Sequence, residues 1–403
     1  MAGLLLIAAL LTVPADVITV DDDGPASFAT IAAAIAASEP GDVLAVQPGN
    51  YASFTVDRDL TLVGPVVYSR PRVEGTVSVI GPAHVVIAGF EFTALDYVGD
   101  CEGGVLEDCT VGVWKPSLKP VALRVSGGVE LIVSSCDVHG WDSHGGVGVE
   151  VDKGHVAFAN CNVLGGHGKS VLLGAGGDGG TALRVTGDTG QVSLAGCRVR
   201  GGDAGLGGSL SGEAEGRAGD GIACIDATIV VRGSSADWVH AGAIQTPVGE
   251  PGLDLNVSGG LLLIGGVDYD PASVGVAKGG QLLQPPAPEP FLEVEESPFL
   301  AWAGLSVHGP VGQQAFLLAS LGSAQVTIPK LEAPLWIPTG NVLLVGLVTA
   351  GPDSPTEFDA TLHPAPEFVG LVIRVQAVFP GVASTLAPNT MVVTNPVALV
   401  ERH

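Results

Sequence analysis

The chain has 403 residues, with 42 acidic against 17 basic side chains and a formal net charge of −25 at pH 7. Such an acidic surface repels polyanions and argues against nucleic acid as a partner; its plentiful carboxylates are the ligand type that calcium takes, so calcium is the one cofactor left open. Apolar residues make up 46% of the chain but aromatics only 5%, and Gly numbers 59, which suits many turns and narrow aliphatic layers rather than a compact helical core.

In chain order, Leu4 to Val13 is an apolar run broken only by Thr12, followed by Val13-Pro14-Ala15 before Asp16. The expectation is a signal peptide over 1–15 in a secreted, extracellular or cell-surface bacterial protein, although the n-region lacks Lys and Arg; a buried first strand or helix is the alternative. The run is too short to span a membrane, and no later segment offers ~20 uninterrupted apolar residues, so no transmembrane segment is expected in the mature chain.

Val17–Val20 reads as a strand, broken by Asp21-Asp22-Asp23-Gly24-Pro25. Ser27 is the expected N-cap of a short helix with Phe28, Ile31 and Ile35 on one face. Pro40-Gly41-Asp42 ends it, Val43–Val46 is a strand, and Pro48-Gly49-Asn50-Tyr51 is a turn. This order of elements resembles the N-terminal cap of secreted pectate-lyase-like proteins, in which an amphipathic helix closes the open end of a right-handed parallel β-helix. The resemblance implies an all-β solenoid with a helical cap.

The middle of the chain repeats. "VALRVSGGVELIVSSCDVHG" from Val121, "VGVEVDKGHVAFANCNVLGG" from Val147 and "TALRVTGDTGQVSLAGCRVRGG" from Thr181 each hold a strand, a turn, a second strand and Cys-x-Val. Alternation sends Val121/Leu123/Val125, Val147/Val149/Val151 and Thr181/Leu183/Val185 inward, with Leu131/Val133, Val156/Phe158 and Val192/Leu194. Arg124, Glu150 and Arg184 then form one outward column. Cys109, Cys136, Cys161 and Cys197 share one repeat position, with Ser234 as the expected next member. They read as buried small hydrophobes, with disulfides as the alternative. Gly165–Gly180 and Gly201–Gly221 read as long Gly-rich loops leaving one side of the solenoid, the side on which to seek function.

The repeat fades after Gly280. The expected organisation is a β-helix over 16–284, a Pro-rich linker over 285–291, and a small antiparallel β-sandwich over 292–403, built from short runs at Ala315–Leu321, Ala324–Ile328, Val342–Thr349, Phe368–Phe379 and Met391–Val400. Phe299, Trp302, Phe316 and Trp336 are expected in its core.

In enzymes of the resembled superfamily, lyases pair a basic residue with calcium and hydrolases use clustered carboxylates. The richest polar cluster here is Asp137-Val138-His139-Gly140-Trp141-Asp142-Ser143-His144, with Asn162 and Arg198 on following rungs; Asp237-Trp238-Val239-His240 is a second. Asp137 and His139 are the expected acid/base residues and Arg198 the cation for a substrate carboxylate. Trp141, Asp142, His144, Asp237, Trp238 and His240 are the expected sugar-binding residues. No metal ligands are assigned: no CxxC or His-Cys cluster is present for zinc, the cap turn alone explains Asp21–Asp23, and a flexible loop explains Asp178. Two functions follow: a protein that binds and cleaves, or only binds, an extracellular polysaccharide, as lyase or glycoside hydrolase if an enzyme, and a non-catalytic adhesion protein docking to a cell-envelope component.

Overall fold

The computed structural model describes residues 16–403 apart from 66–68, 113–120, 143, 209–213, 247–248, 286–289, 298–301, 321–330, 332–342, 350–355, 361–369, 384, 386–389, 401 and 403. The expected signal peptide, most of the expected linker, the run 324–328, Phe299 and Trp336 lie outside the described residues.

Asp16 to Gln284 wind as a right-handed parallel β-helix. A full rung has three strands, such as Val121–Ser126 on face I, Glu130–Ser134 on face II and Asp137–His139 on face III. Face II is an 11-stranded parallel sheet. Faces I and III are joined through Glu91–Tyr97, which pairs with strands of both. Alternation decides what fills the interior: Leu123, Val149 and Leu183 stack on face I, Val133, Phe158 and Leu194 on face II, and Val138, Val163 and Val199 on face III. All are buried. The outward charges fall in the expected register, with Glu150 taking Arg124 at 3.1 Å and Arg184 at 3.6 Å.

The cap helix spans Ile31–Ala37 and buries Ile31, Ala34 and Ile35. Its N-cap is Thr30, whose hydroxyl accepts from Ala33 N, not the expected Ser27. Phe28 forms a parallel bridge with Val20, which holds the preceding residues extended and delays the helix by three residues.

Cys109, Cys136, Cys161 and Cys197 form a buried column of free thiols. Each Sγ donates to the carbonyl two residues back, at 3.1 to 3.2 Å. Burial pushes the Cys109, Cys136 and Cys161 thiols well above their usual pKa. The next member is Asp237 rather than Ser234, because Arg198 registers with Trp238. An added turn at Ser234–Ala236 accounts for the offset, and Asp237 staples it by accepting from Ser234 N and Oγ.

The C-terminal part is two antiparallel sheets. One holds Phe291–Ser297, Trp302–His308 and Thr356–Ala360. The other holds Leu343–Thr349, Gln314–Ser320 and Val372–Ala383, with Met391–Val393 and Val397–Val400. Leu292, Leu305 and Val307 of the first share a core with Ala315, Leu317 and Phe379 of the second. Phe316 is not in that core: strand alternation turns it away from Ala315 and Leu317, and it is 41% exposed.

These sheets lie on face II. Val43, Val63, Val86, Val105 and Ile132 point outward from the solenoid and are buried under Ala398 and Val400. Polar contacts frame the seam: Arg402 on Asp108 at 2.9 Å, Arg232 on the Val393 carbonyl at 3.0 Å, and Arg374 against His84 Nε2 at 2.8 Å. Burial, and then the Arg374 guanidinium, lower the His84 pKa from 6.5 to about 4, with Asp59 opposing. Because the folded pKa lies below the unfolded one, His84 contributes no penalty above pH 6.5. As pH falls from 6.5 towards 4 the unfolded chain takes up a proton that the docked state refuses, and stability drops by roughly 3 kcal/mol. Burial raises the Glu130 pKa beside it, which opposes this loss at the acid end. His84→Gln is therefore expected to flatten the pH dependence of the urea midpoint between 6.5 and 4; an unchanged profile would contradict this account of the seam.

Candidate functional site

Face III carries two outward columns. The first runs Thr110, Asp137, Asn162, Arg198, Trp238 and the second His139, Leu164, Arg200, His240. Past the strand ends the backbone changes period. Gly165 N donates to Arg200 O, Gly166 N to Gly146 O, His167 N to Asp142 Oδ1, and Gly168 N to Asp203 O. Bonds to the next rung thus recur every third residue, as expected for extended threads with no bonds of their own.

The two Gly-rich stretches are accordingly not loose loops over their described residues. They fold out and back into a two-layered slab. One zigzag of backbone bonds runs from Gly242 to Gly219, Gly202, Gly180, Gly166 and Gly146, each at 2.8 to 2.9 Å. Glycine is needed here for closeness: a Cβ on Gly202 would sit 1.9 Å from the Gly166 carbonyl oxygen. The bonds that point out of the slab are closed by side chains. Asp142 accepts from His167 N at 3.0 Å, His167 Nδ1 from Asp203 N at 3.0 Å, and Asp203 from Ala243 N at 2.7 Å. On the returning layer Asp178 accepts from Arg217 N and Asp220 from Leu253 N. Glu215 takes Gln245 N and Thr246 N; burial raises its pKa, but these bonds outweigh that and leave it lowered.

The expected site residues separate on this frame. Asp137 and His139 share a strand and a face, Asp137 exposed and His139 half-buried. Arg198 is two rungs away, roughly 10 Å at the backbone. Trp141 is buried, and its Nε1 has no partner among the described residues. Asp142 is committed to His167 N, and His144 is exposed in the turn. Asp237 is buried; burial raises its pKa, the hydrogen bonds from Ser234 N and Oγ oppose that, and the charges of Glu293 (raising) and Arg198 (lowering) act more weakly. Trp238 stacks on His240 with ring centroids 5.3 Å apart and 14° between planes. His240 lies between Asp254, at 3.6 Å, and Asp268, at 3.7 Å. Sequence reading missed these two carboxylates because they come from later rungs, at no fixed spacing from His240.

Arg198 stands out chemically. Arg200 pairs with Asp203 at 2.6 Å and Arg217 with Asp220 at 2.9 Å. The Arg198 side chain is exposed and makes no ion pair or hydrogen bond among the described residues, although its charge is felt by Asp237. It registers between Asn162 and Trp238, giving an open guanidinium beside an amide and an indole.

For a cation, the Asp21, Asp22 and Asp23 ligand atoms lie within 4.8 Å of one another. These are oxygen donors of the kind calcium takes, but Asp22 already accepts from Asn50 N and Asp21 from Asp23 N. Among the described residues no helix is long and apolar enough to cross a membrane.

No protein-family model and no curated protein matches the chain. Among solved structures it is similar to pectate lyase Pel9A, at 14% identity over 66% of this chain and 74% of that one, with a TM-score of 0.39. It is also similar to a pectin methylesterase from Aspergillus niger, at 16% identity over 68% and 84% with a TM-score of 0.31. A rhamnogalacturonan lyase follows at 14% identity over 66% and 89%, with a TM-score of 0.26. At these values the likeness carries no argument about chemistry.

Proposed function

We propose that this chain is an exported protein that binds an extracellular polysaccharide along face III and the Gly-rich slab that continues it. The observation that carries the reading is the open Arg198 guanidinium between Asn162 and the stacked Trp238–His240 pair. An indole face covers the C–H side of a sugar ring, and a guanidinium takes a carboxylate in two parallel hydrogen bonds. The preferred glycan is acidic, met by this local cation or through bridging calcium, since the chain as a whole carries −25. If turnover occurs, Asp137 and His139 are its acid/base residues, side by side on the same outward face.

A second reading, a non-catalytic surface or adhesion protein docking to a cell-envelope component, draws support from the slab. Asp142, Asp178, Asp203 and Asp220 close backbone bonds there, which leaves binding ahead of cleavage. The test uses the chain from Asp16 against neutral and acidic polysaccharides with and without calcium. Ultraviolet absorbance follows unsaturated product, a colorimetric assay follows new reducing ends, and affinity electrophoresis follows retention. Retention by an acidic glycan is expected, and any turnover should vanish in Asp137→Ala and His139→Ala. Neither retention nor turnover across the panel would sink the polysaccharide reading and leave adhesion.

A further inference from the structure

The outward column that holds Arg198 carries a charge pattern along the solenoid axis. Trp238 forms a parallel bridge with Asp268, so the column continues one rung further and reads Asp137, Asn162, Arg198, Trp238, Asp268. A cation stands at the centre, a neutral residue on each side of it, and a carboxylate two rungs away in both directions. Both carboxylates are exposed, Asp268 with 70% of its side chain open. In the parallel column Arg200 is already paired with Asp203 at 2.6 Å, and His240 faces Asp254 and Asp268. Two further carboxylates stand close to Arg198. Asp237 precedes Trp238 on the next rung, and Glu293 reaches over Gly196, its Cδ 3.8 Å from where a Cβ would stand. Burial is the main cause of the raised Asp237 pKa, and after the Ser234 hydrogen bonds the charges of Glu293 and Arg198 are felt there too. The guanidinium thus sits among carboxylates, and a ligand anion is welcome only directly upon it.

Stacked strands are ~4.8 Å apart, close to the length of one sugar residue, so a glycan lying along the column sets about one sugar on each rung. A uronate on Arg198 takes the two parallel hydrogen bonds that a guanidinium offers. Its neighbours fall on Asn162 and Trp238, which meet hydroxyls and a ring face. Uronates two sugars away fall on Asp137 and Asp268, like charge against like charge. We propose that face III selects a sparsely charged acidic heteropolysaccharide, in which each uronate is flanked on both sides by at least two neutral sugars, and discriminates against polyuronates. This rests on the reading of face III as a glycan site. The net charge of −25 disfavours every dense polyanion, so local substitutions must separate the pattern from the overall charge.

Affinity electrophoresis with calcium chelated tests this on three probes. Gellan has three neutral sugars between uronates, hyaluronan has one, and polygalacturonate has none. Retention of the parent is expected to fall in that order. Asp137→Asn and Asp268→Asn should each raise retention by polygalacturonate roughly threefold, the size of one like-charge contact at an exposed site, and leave retention by gellan unchanged. The control is Asp188→Asn, which removes the same charge from the exposed turn before Gln191 and should leave the ratio of the probes as in the parent. If the parent held polygalacturonate as strongly as gellan, the selectivity would be overturned while the glycan site stood. The same holds if Asp137→Asn and Asp268→Asn left the ratio unmoved, or if Asp188→Asn moved it as far. If neither parent nor variants were retained by any of the three, the selectivity and the glycan site would fall together.

Discussion

Gly202→Ala is expected to destabilise the protein by roughly 3 kcal/mol, an effect out of proportion to one added methyl group. The new Cβ would stand 1.9 Å from the Gly166 carbonyl oxygen and 2.5 Å from its carbon. The backbone there cannot yield cheaply. Gly202 N donates to Gly180 O while its own carbonyl accepts from Gly219 N, so moving one thread strains both neighbours and loses bonds worth about 1 kcal/mol each. The matched control is Gly128→Ala, where an added Cβ meets nothing within 4 Å; it should change stability by less than about 0.5 kcal/mol. Urea titrations of the two variants beside the parent make the comparison. Equal, small effects would mean that the slab is not held by close backbone packing.

Ile132→Asp should cost about 4 kcal/mol and lift the C-terminal sheets from the solenoid. On an ordinary solenoid face an outward residue sees water, and such a change would be nearly free. Here Ile132 is 1% exposed and shares a cluster with Val86, Val105, Ala398 and Val400, so the carboxylate would be buried without a partner. Ile225→Asp is the control, an outward isoleucine on face I that is 38% exposed. Limited proteolysis reports the separation: cleavage in 285–291 should accelerate in Ile132→Asp and stay at the parent rate in Ile225→Asp. If both variants behaved alike, the contact with face II would not be a packed interface.

Much of the solenoid was legible in the sequence because alternation is a strict rule once rungs stack. The inward residues of the three clear repeats and the Arg124–Glu150–Arg184 column fall where parity puts them. Two features escaped for physical reasons. A corner turn can lengthen without changing parity, so the Ser234–Ala236 insertion hid that Asp237 continues the thiol column. Glycine content reads as flexibility one segment at a time, and only register between segments shows threads packed too closely for a Cβ. The burial of face II did leave a mark. "HVVIA", "ELIVS" and "HVAFA" are apolar on both parities over most of their length, the pattern of a sheet covered on both sides. The candidate site was legible as a set of outward residues. Burial of Trp141 and Asp237 was not, since it depends on neighbours from other rungs.

The most direct test of the polysaccharide-binding reading is affinity electrophoresis of Arg198→Ala and Trp238→Ala against an acidic polysaccharide that retains the parent, with Arg124→Ala on face I as the control. Loss of retention by roughly tenfold in the first two, with the control unchanged, is the predicted result, in keeping with the cost of removing an interfacial Arg or Trp. Retention that survives both substitutions, or falls equally in Arg124→Ala, would contradict binding on face III.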